Sequence, residues 1–186
     1  FVKNKVVVTN LAEGDVLADG RALPFADNSF SVVTSIDVLE HIPPQDRGKF
    51  INQLKRVAQK IVVLSFPLGT KEHFEAEKSL KEFLKKRNEE ISYLEEHLKN
   101  GLPTIEEIKA ILKNDSYQIF FGEDFRLNNF LFKLQFVLGK RRILRRIYFY
   151  LQKAINFFLN IFYYPFSLSS KPHRYTNRAY VVIEEE

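Results

Sequence analysis

Short apolar runs and longer amphipathic stretches alternate along the chain. Four runs rich in β-branched residues, separated by turn residues or by a helical stretch, lie at residues 6–9, 16–18, 31–35 and 61–65. Runs of this length and composition are typical of buried parallel strands. The last two strands are predicted at residues 117–121 and 178–183. The pattern therefore predicts an α/β protein built around one sheet.

Helical periodicity fills the spaces between these strands. A crossover helix is predicted after Pro44, from apolar residues at helical spacing: Phe50, Ile51, Leu54 and Val57. Residues 71–100 predict one or two amphipathic helices, with Gly101 as the C-cap. Thr104 then opens a capping box, so a further helix should run to about residue 113. A strand, a helix and a strand with a right-handed crossover make a doubly wound unit.

Residues 122–177 form a long insertion between the last two predicted strands, and they are rich in phenylalanine and tyrosine. Apolar positions follow helical spacing at Ile147, Leu151, Ile155, Phe158 and Phe162. Polar residues interrupt this run, so we expect no membrane span, which needs about 20 predominantly apolar residues. The apolar face predicts packing on the sheet or on a second copy of the chain, or else contact with a membrane or a lipid-linked substrate.

Composition and charge narrow the classes of function. The length of 186 residues and the ordinary apolar content fit one globular domain. Because the chain has no cysteine, disulfides, thiolate metal sites and cysteine nucleophiles are excluded. The basic excess behind the net charge of +5 is local, at residues 133–153. No nucleic-acid module, phosphate-binding loop or serine-triad order is recognisable, so we expect no nucleic-acid partner.

Residues 15–41 are the most informative part of the chain. Asp19 ends one predicted strand, an L-P-F motif follows, and a strand that begins at Phe30 leads to an L-x-H motif that ends at His41. In this order and register the motifs resemble the middle of a class I S-adenosylmethionine-dependent methyltransferase, of the group with D-x-x-x-L-P-F, F-D-x-V and L-x-H. One departure is Ser31, where that group usually has aspartate.

The resemblance implies a Rossmann-like doubly wound sheet, mostly parallel with an antiparallel last strand. Such domains open with a strand and a glycine-rich turn that lets the backbone approach the cofactor. No such turn lies near the start of this chain, which begins at Phe1 and contains no methionine, and residues 5–9 are interpreted as the second strand. We therefore expect a fragment or a processed chain, with the first strand and the glycine-rich loop missing.

The cofactor that the resemblance implies is S-adenosylmethionine. Asp19 would accept a hydrogen bond from the adenine amino group. The backbone at Ala18 and Gly20 would meet the ring, and Leu23 would pack nearby. Without the motifs that follow, Asp19 and Gly20 would be a plain turn after a strand.

Asn10 stands where the family usually has an acidic residue for the ribose hydroxyls. An amide can hydrogen-bond a hydroxyl, but without the charge-assisted strength of a carboxylate. Glu13 is the substitute if the register differs by a turn, and a plain loop is equally open. Ser35 and Ile36 end a strand at the carboxyl edge of the sheet, where we expect them to face the methionine end of the cofactor or the acceptor.

Asp37, Glu40 and His41 form a D-x-x-E-H cluster after that strand. We predict Asp37 and His41 as catalytic residues, with His41 as a general base or as the residue that positions the acceptor. A structural role of His41 beside the sheet stays open. Such a cluster can also hold a divalent metal, although we predict none. The other histidines are interpreted as solvated or capping residues: His73, His97 and His173.

The sequence predicts a partial methyltransferase core at residues 1–121 and 178–186, with a helical segment at 71–113 and the insertion at 122–177. The predicted function is methyl transfer from S-adenosylmethionine to a small-molecule, lipid-linked or cell-envelope glycan acceptor. The alternative is a non-catalytic scaffold that binds a membrane surface or a protein partner through the insertion. We expect a cytoplasmic location, with peripheral membrane contact through residues 133–164 or, alternatively, a homodimer.

Overall fold

The computed structural model describes residues 6–138, 142–163 and 168–185. Within these residues the strands are β1 Thr9–Asn10, β2 Val16–Leu17, β3 Phe30–Ile36, β4 Ala58–Pro67, β5 Ser116–Asp124 and β6 Thr176–Glu184. The α-helices are α1 Pro44–Val57, α2 Lys71–Lys85, α3 Ser92–Asn100, α4 Ile105–Ile111, α5 Phe125–Leu138 and α6 Arg142–Phe158. A 3₁₀ helix, Leu39–His41, follows β3, and a π-helix, Leu159–Tyr163, follows α6.

The main sheet contains four strands in the order β3-β4-β6-β5. β3 and β4 pair in parallel, whereas β6 pairs antiparallel with both β4 and β5. Three strands therefore run in one direction, and β6, the last along the chain, runs against them. This confirms the predicted α/β sheet that is mostly parallel with an antiparallel last strand.

β1 and β2 form a separate parallel pair of two residues each. The strand predicted at residues 6–9 is therefore wrong in extent, because it begins only at Thr9. The carbonyl oxygen of Val8 accepts hydrogen bonds from the N–H groups of Asp15 and Val16 at 2.8 and 3.2 Å, so the chain before the strand is tied to a loop. A missing first strand and glycine-rich loop remain a prediction.

The core joins the main sheet to α1 and α4. Val62, Leu64 and Phe66 on β4 are fully buried, as are the alternate residues of β6 that pair with this strand. They pack in one cluster with apolar residues of the two helices, Phe50, Ile51, Leu54 and Ile108, and with Leu112 directly after α4. Each such side chain contributes about 1.5–3 kcal/mol when it is fully buried. The helical periodicity predicted after Pro44 is thus confirmed by its buried face.

Residues 71–100 contain two helices, α2 and α3. Gly101 follows α3 with a φ of 71°, in the left-handed region that favours glycine, and confirms the predicted C-cap. Thr104 caps α4, because its Oγ1 accepts a hydrogen bond from the N–H of Glu107 at 3.2 Å. α4 ends at Ile111, slightly before the predicted end.

Helices α5 and α6 lie between β5 and β6, within the predicted insertion. α6 packs on α5 through Tyr148, whose hydroxyl donates a hydrogen bond to the carbonyl oxygen of Leu131 at 2.5 Å. The other apolar side chains along most of α6 are exposed: Ile147, Phe149, Tyr150, Leu151, Phe157 and Phe158. The interpretation that this face packs on the sheet is therefore wrong. Residues 139–141, within the basic stretch at residues 133–153, lie outside the described residues.

No helix within the described ranges is long and apolar enough to cross a membrane. The predicted absence of a membrane span in the insertion, part of which lies outside the described residues, stays a prediction. β5 extends to Asp124 and β6 begins at Thr176, so both strands reach a few residues into the predicted insertion. The division of the chain into a core and an insertion remains a prediction.

Candidate functional site

Asp37 stands directly after β3, at the carboxyl edge of the main sheet. Its φ of 54° lies in the left-handed region, where a residue other than glycine pays about 1–2 kcal/mol. Its N–H donates to the carbonyl oxygen of Ser65 at 3.0 Å, and its carboxylate forms an ion pair with Arg178. Backbone strain held by such contacts is characteristic of functional sites.

Arg178, on β6, connects the ends of several strands at this edge. It binds Asp37, donates a hydrogen bond to Oγ of Ser65 at 2.8 Å, and approaches Oε1 of Glu123 at 3.6 Å. A planar guanidinium with several fixed donors suits this bridging role. No motif pointed to Arg178, because the three partners come from distant parts of the sequence.

Ser35 and Ile36 lie at the predicted edge but differ in environment. Ser35 is buried, whereas Ile36 is exposed. Adjacent residues of a strand point to opposite faces. The two side chains therefore point to opposite sides of the sheet, and the expectation that these residues face the cofactor or the acceptor stays a prediction.

Asp19 follows β2 and is held by Arg21. Its carboxylate accepts hydrogen bonds from the backbone N–H of Arg21 at 2.8 Å and from Nη2 at 2.7 Å. These hydrogen bonds lower the pKa of Asp19 to about 2, so the carboxylate is ionised at neutral pH. Nη1 of Arg21 also binds Asp46 at 2.8 Å, near the start of α1. The side chain of Asp19 is still 40% exposed and can accept a further hydrogen bond.

Gly20 and the L-P-F motif pack against α1. A Cβ on Gly20 would stand 2.4 Å from Cε2 of Phe50, so glycine permits a close approach of the loop to the helix. The carbonyl oxygens of Leu23 and Phe25 each accept a hydrogen bond from Arg56 at 2.8 Å. The motif is therefore anchored by α1, which explains part of its spacing.

Asn10 and Glu13 line one shallow, open depression beside β1. The Oδ1 atom of Asn10 accepts a hydrogen bond from the N–H of Leu11 at 2.6 Å, and its backbone oxygen accepts one from Ala18 at 3.0 Å. Asn10 and Glu13, the two alternative residues predicted to bind the ribose, thus lie in the same depression. Amide and carboxylate groups are suitable partners for hydroxyls, so these side chains, with the exposed carboxylate of Asp19, fit the cofactor implied by the resemblance.

His41 ends the 3₁₀ helix and is fixed by α3. Its Nδ1 lies 2.7 Å from Oε2 of Glu96, and its carbonyl oxygen accepts a hydrogen bond from Nδ2 of Asn100 at 3.0 Å. The ring is part-exposed, beside that of His97 at a centroid distance of 5.1 Å. The contact with Glu96 orients the imidazole and leaves its Nε2 available.

His97 is buried, so its interpretation as a solvated or capping residue is wrong. Its Nδ1 lies 2.8 Å from Oε1 of Glu77 on α2. Glu40 beside it is also buried, and this burial raises the pKa of the Glu40 carboxyl. His73 is likewise buried, with its Nδ1 2.9 Å from the carbonyl oxygen of Leu68. Periodicity alone did not reveal these contacts, which depend on how α2 and α3 pack.

Arg47 was missed by the sequence interpretation and is buried beneath the site, with 1% of the residue exposed. Its Nε donates to the carbonyl oxygens of Leu39 and Ile42 at 3.2 and 3.0 Å. Its Nη1 binds Glu107 on α4 at 2.8 Å, and Nη2 donates to the carbonyl oxygen of Gly101. Arg47 therefore holds the 3₁₀ helix in place against α4.

The predicted site residues fall into two groups. Asn10, Ala18, Asp19, Gly20 and Leu23 lie on β1, β2 and the loop that follows. A second group, Ser35, Ile36, Asp37 and His41, lies at the end of β3. Within the part of the chain that the structure describes, no strand pairing joins β1 or β2 to the main sheet. The cofactor-binding and catalytic roles of these residues remain predictions.

Comparison with protein families gives a match to the first third of the chain. Residues 3–66 match the family described as "Methyltransferase domain". In this segment the chain is therefore similar to a methyltransferase domain. The matched segment ends within β4 and contains all the predicted site residues of both groups. No curated protein matches the chain.

Several solved structures described as methyltransferases are similar to this chain at low identity. A protein described as a "putative sarcosine dimethylglycine methyltransferase", from Galdieria sulphuraria, is 13% identical over 90% of this chain and 57% of its own, with a TM-score of 0.47. Haemonchus contortus phosphoethanolamine N-methyltransferase 2, in complex with S-adenosyl-L-methionine, is 16% identical over 91% of this chain and 36% of its own, with a TM-score of 0.46. The chain thus spans little more than half of the first protein and about a third of the second. Likeness at this level carries no argument about function.

Proposed function

We propose that the chain is part of an enzyme that transfers a methyl group from S-adenosylmethionine to an acceptor by in-line attack on the methyl carbon. The match of residues 3–66 to a methyltransferase domain carries the proposal. Asp37 and His41 support it, since they follow β3 at the carboxyl edge of the sheet, where ligands bind in open α/β folds. These site residues are needed because a fold alone does not define a function.

S-adenosylmethionine, when bound, supplies a methyl group that is already activated on a sulfonium. The protein therefore contributes mainly by placing the reactants. Asp19, ionised and part-exposed, would accept a hydrogen bond from the adenine amino group. Ala18 and Gly20 would lie beside the ring through their backbone, and Leu23 through its side chain.

The remaining predicted contacts divide between the ribose and the acceptor. Asn10 would bind the ribose hydroxyls, with Glu13 in the same depression as the alternative. Ser35 or Ile36 would face the methionine end of the cofactor. We assign Asp37 and His41 to the acceptor, which they would position at the edge of the sheet.

Calorimetric titration of S-adenosylhomocysteine into the full-length protein tests the cofactor assignment. Asp19→Ala should weaken binding about tenfold, or roughly 1.4 kcal/mol. Asp27→Ala is the matched control, because this aspartate is 71% exposed and has no assigned contact with the cofactor. Absence of binding by the wild-type protein would reject the enzyme, and an equal loss in both variants would reject the role of Asp19.

For the acceptor we propose a lipid-linked molecule that is reached at an anionic membrane surface. The support is the composition of most of the insertion: after Glu123 and Asp124, residues 125–177 contain ten lysines and arginines and no aspartate or glutamate. Basic segments gain about 1 kcal/mol per lysine or arginine near anionic lipid. Contact through this segment would hold the site close to a lipid-linked substrate.

The exposed side of α6 supports the same proposal. Tyr150 and Phe157 are 68% and 59% exposed, and Nζ of Lys153 lies 4.6 Å from the ring centroid of Phe149. An exposed helix with aromatic and basic residues is typical of peptides that lie in the membrane interface. Binding would bury the aromatic rings and leave the basic groups near the phosphates.

Vesicle co-sedimentation tests the membrane contact. The full-length protein should bind phosphatidylglycerol vesicles at low salt, bind them less at high salt, and ignore phosphatidylcholine vesicles. The double variant Tyr150→Ser with Phe157→Ser should lose most of the binding, whereas Phe130→Ser, which alters an exposed residue on α5, should retain it. Failure of the wild-type protein to bind anionic vesicles would reject the membrane proposal and favour a small-molecule or glycan acceptor.

A non-catalytic scaffold is the competing function. Asn10 in place of the usual acidic residue and the exposed face of α6 favour it. A scaffold would bind vesicles or a protein partner without binding S-adenosylhomocysteine, so the calorimetric titration separates the two functions. If α6 instead binds a second copy of the chain, the protein will be dimeric in solution without lipid.

A further inference from the structure

A buried cluster of acidic and histidine side chains lies where the 3₁₀ helix meets α2 and α3. Glu40 and His41 belong to the 3₁₀ helix, Glu77 to α2 and His97 to α3. Glu40 is 2% exposed and His97 is 7% exposed. Methyl transfer as proposed assigns no role to Glu40, Glu77 or His97.

Several polar atoms of this cluster are buried without a hydrogen-bond partner. They are Oε2 of Glu40, Oε2 of Glu77 and Nε2 of His97. In the described ranges the only other buried side-chain atom in this state belongs to Glu185. A buried polar atom left without a partner costs about 1–3 kcal/mol, and more when it is charged. Two of these atoms, Oε2 of Glu40 and Nε2 of His97, belong to side chains that could hold one ligand between them.

Carboxylates orient both histidines of the cluster. Nδ1 of His97 lies 2.8 Å from Glu77, and Nδ1 of His41 lies 2.7 Å from Glu96. Each ring therefore has its Nε2 left to bind a ligand. Histidines that bind metals almost always donate their other N–H to a carboxylate, a carbonyl or water, which fixes the tautomer and raises the basicity of the ligating nitrogen.

We propose that Glu40, His41 and His97 bind one divalent transition metal of the zinc class, with Glu77 and Glu96 orienting the imidazoles. One possible ligand atom from each of the three lies within 4.8 Å of the others. Ligands at about 2.1 Å from a tetrahedral metal are about 3.4 Å apart. Metal binding therefore draws these side chains together by up to about 1.4 Å.

The ligand set selects the class of metal. Two imidazoles and one carboxylate suit zinc and similar transition metals, whereas magnesium and calcium prefer oxygen ligands. Asp37 is not a ligand, because Arg178 holds its carboxylate. Our sequence prediction of no metal considered only Asp37, Glu40 and His41, and did not include His97, which only the packing of α3 brings to the cluster.

Three protein ligands leave at least one coordination position open, as in catalytic zinc sites. His41 is part-exposed, so the open position is accessible from its side. His41 would then position an acceptor oxygen or nitrogen through the metal. Metal binding itself is independent of methyl transfer, so it can be measured without S-adenosylmethionine.

Zinc titration of the full-length, chelator-treated protein tests the proposal. Calorimetry should show one zinc ion per chain and no comparable binding of magnesium. Glu40→Gln and His97→Gln should each weaken zinc binding at least a hundredfold, and Glu77→Gln by about 10–100-fold. His173→Gln is the matched control, since this exposed histidine lies outside the cluster and its loss should change nothing.

X-ray absorption at the zinc edge of the wild-type complex gives a result that does not depend on the folding of any variant. We expect two imidazole ligands and oxygen ligands at about 2.0–2.2 Å. No stoichiometric zinc in the wild-type protein, a spectrum without two imidazoles, or loss of binding in His173→Gln would each overturn the proposal. Circular dichroism of every variant should show the wild-type fold.

Discussion

Removal of Arg47 should be among the most damaging single changes in this chain. In Arg47→Leu, the carbonyl oxygens of Leu39, Ile42 and Gly101 lose their donor, and the carboxylate of Glu107 loses its ion-pair partner. The 3₁₀ helix between β3 and α1 would then lose its main attachment to α4. Since Arg47 is almost fully buried, water cannot replace the donor without opening the structure.

The expected loss in the free energy of unfolding is about 3–5 kcal/mol, which is typical when one partner of a buried pair is removed. Breaking bonds between neutral groups would cost less, since a typical hydrogen bond contributes about 0.5–1.5 kcal/mol net. For a chain of this size each kcal/mol corresponds to about 2–4 °C in Tm, so Tm should fall by about 6–20 °C.

Urea denaturation followed by far-UV circular dichroism measures this loss, with Arg174→Leu as the control. The guanidinium of Arg174 is 68% exposed, and its Nε lies 3.1 Å from Glu72. An exposed ion pair contributes about 0.2–1 kcal/mol, so this variant should stay close to the wild type. If Arg47→Leu loses no more stability than Arg174→Leu, the attachment attributed to Arg47 is wrong.

Three further predictions concern stability. Gly69→Ala should destabilise the protein by about 1–3 kcal/mol, because a Cβ would stand 2.4 Å from the carbonyl oxygen of Leu102. In Gly48→Ala, on α1, the new Cβ comes no closer than 3.9 Å to the neighbouring side chains, so this variant should gain about 0.5–1 kcal/mol. Equal denaturation midpoints for the two variants would contradict this prediction. Burial lowers the pKa of His73, so in the presence of a chelator stability should decrease as the pH falls below about 6.5, and His73→Asn should reduce that slope. The pKa of Asp19 is about 2 against a usual 3.8, so its contribution to the free energy of unfolding is present above pH 3.8 and is lost as the pH falls towards 2. The stability of Asp19→Asn should therefore fall less than that of the wild type over this pH range. An NMR titration that finds the usual pKa for Asp19 would refute the prediction.

Much of the architecture could be predicted from periodicity and turn chemistry. Alternation and β-branched composition located β3 to β6, because buried strands need apolar residues whatever their partners are. Thr104 and Gly101 marked helix ends because capping depends on local backbone geometry. The strand at residues 6–9 was predicted too long, since its extent depends on pairing with another segment rather than on composition.

The candidate site was only partly visible in the sequence. Motif spacing located Asp19, Asp37 and His41, and residues 3–66 do match a methyltransferase domain. The contacts that hold these residues were not predicted. Arg178 reaches Asp37 from the other end of the chain, and Arg47 binds carbonyl oxygens, which leave no trace in side-chain patterns.

The exposed face of α6 shows the same division. Helical spacing predicted an apolar stripe, but the stripe alone did not reveal whether the sheet covers it. The structure shows that α6 packs on α5 through Tyr148 and leaves most aromatic residues exposed. A covering partner depends on the distance and direction of other elements, which periodicity does not contain.

By itself the sequence determined the α/β class, most helix and strand positions, and the resemblance of the first third of the chain to a methyltransferase domain, because these depend on local propensity and short-range spacing. Tertiary structure decided which ionisable groups meet. His97 lies far from His41 along the chain, and only the packing of α3 against the 3₁₀ helix brings the two rings to 5.1 Å. Burial then determines their chemistry, since a buried imidazole or carboxylate without a partner is costly and a solvated one is not.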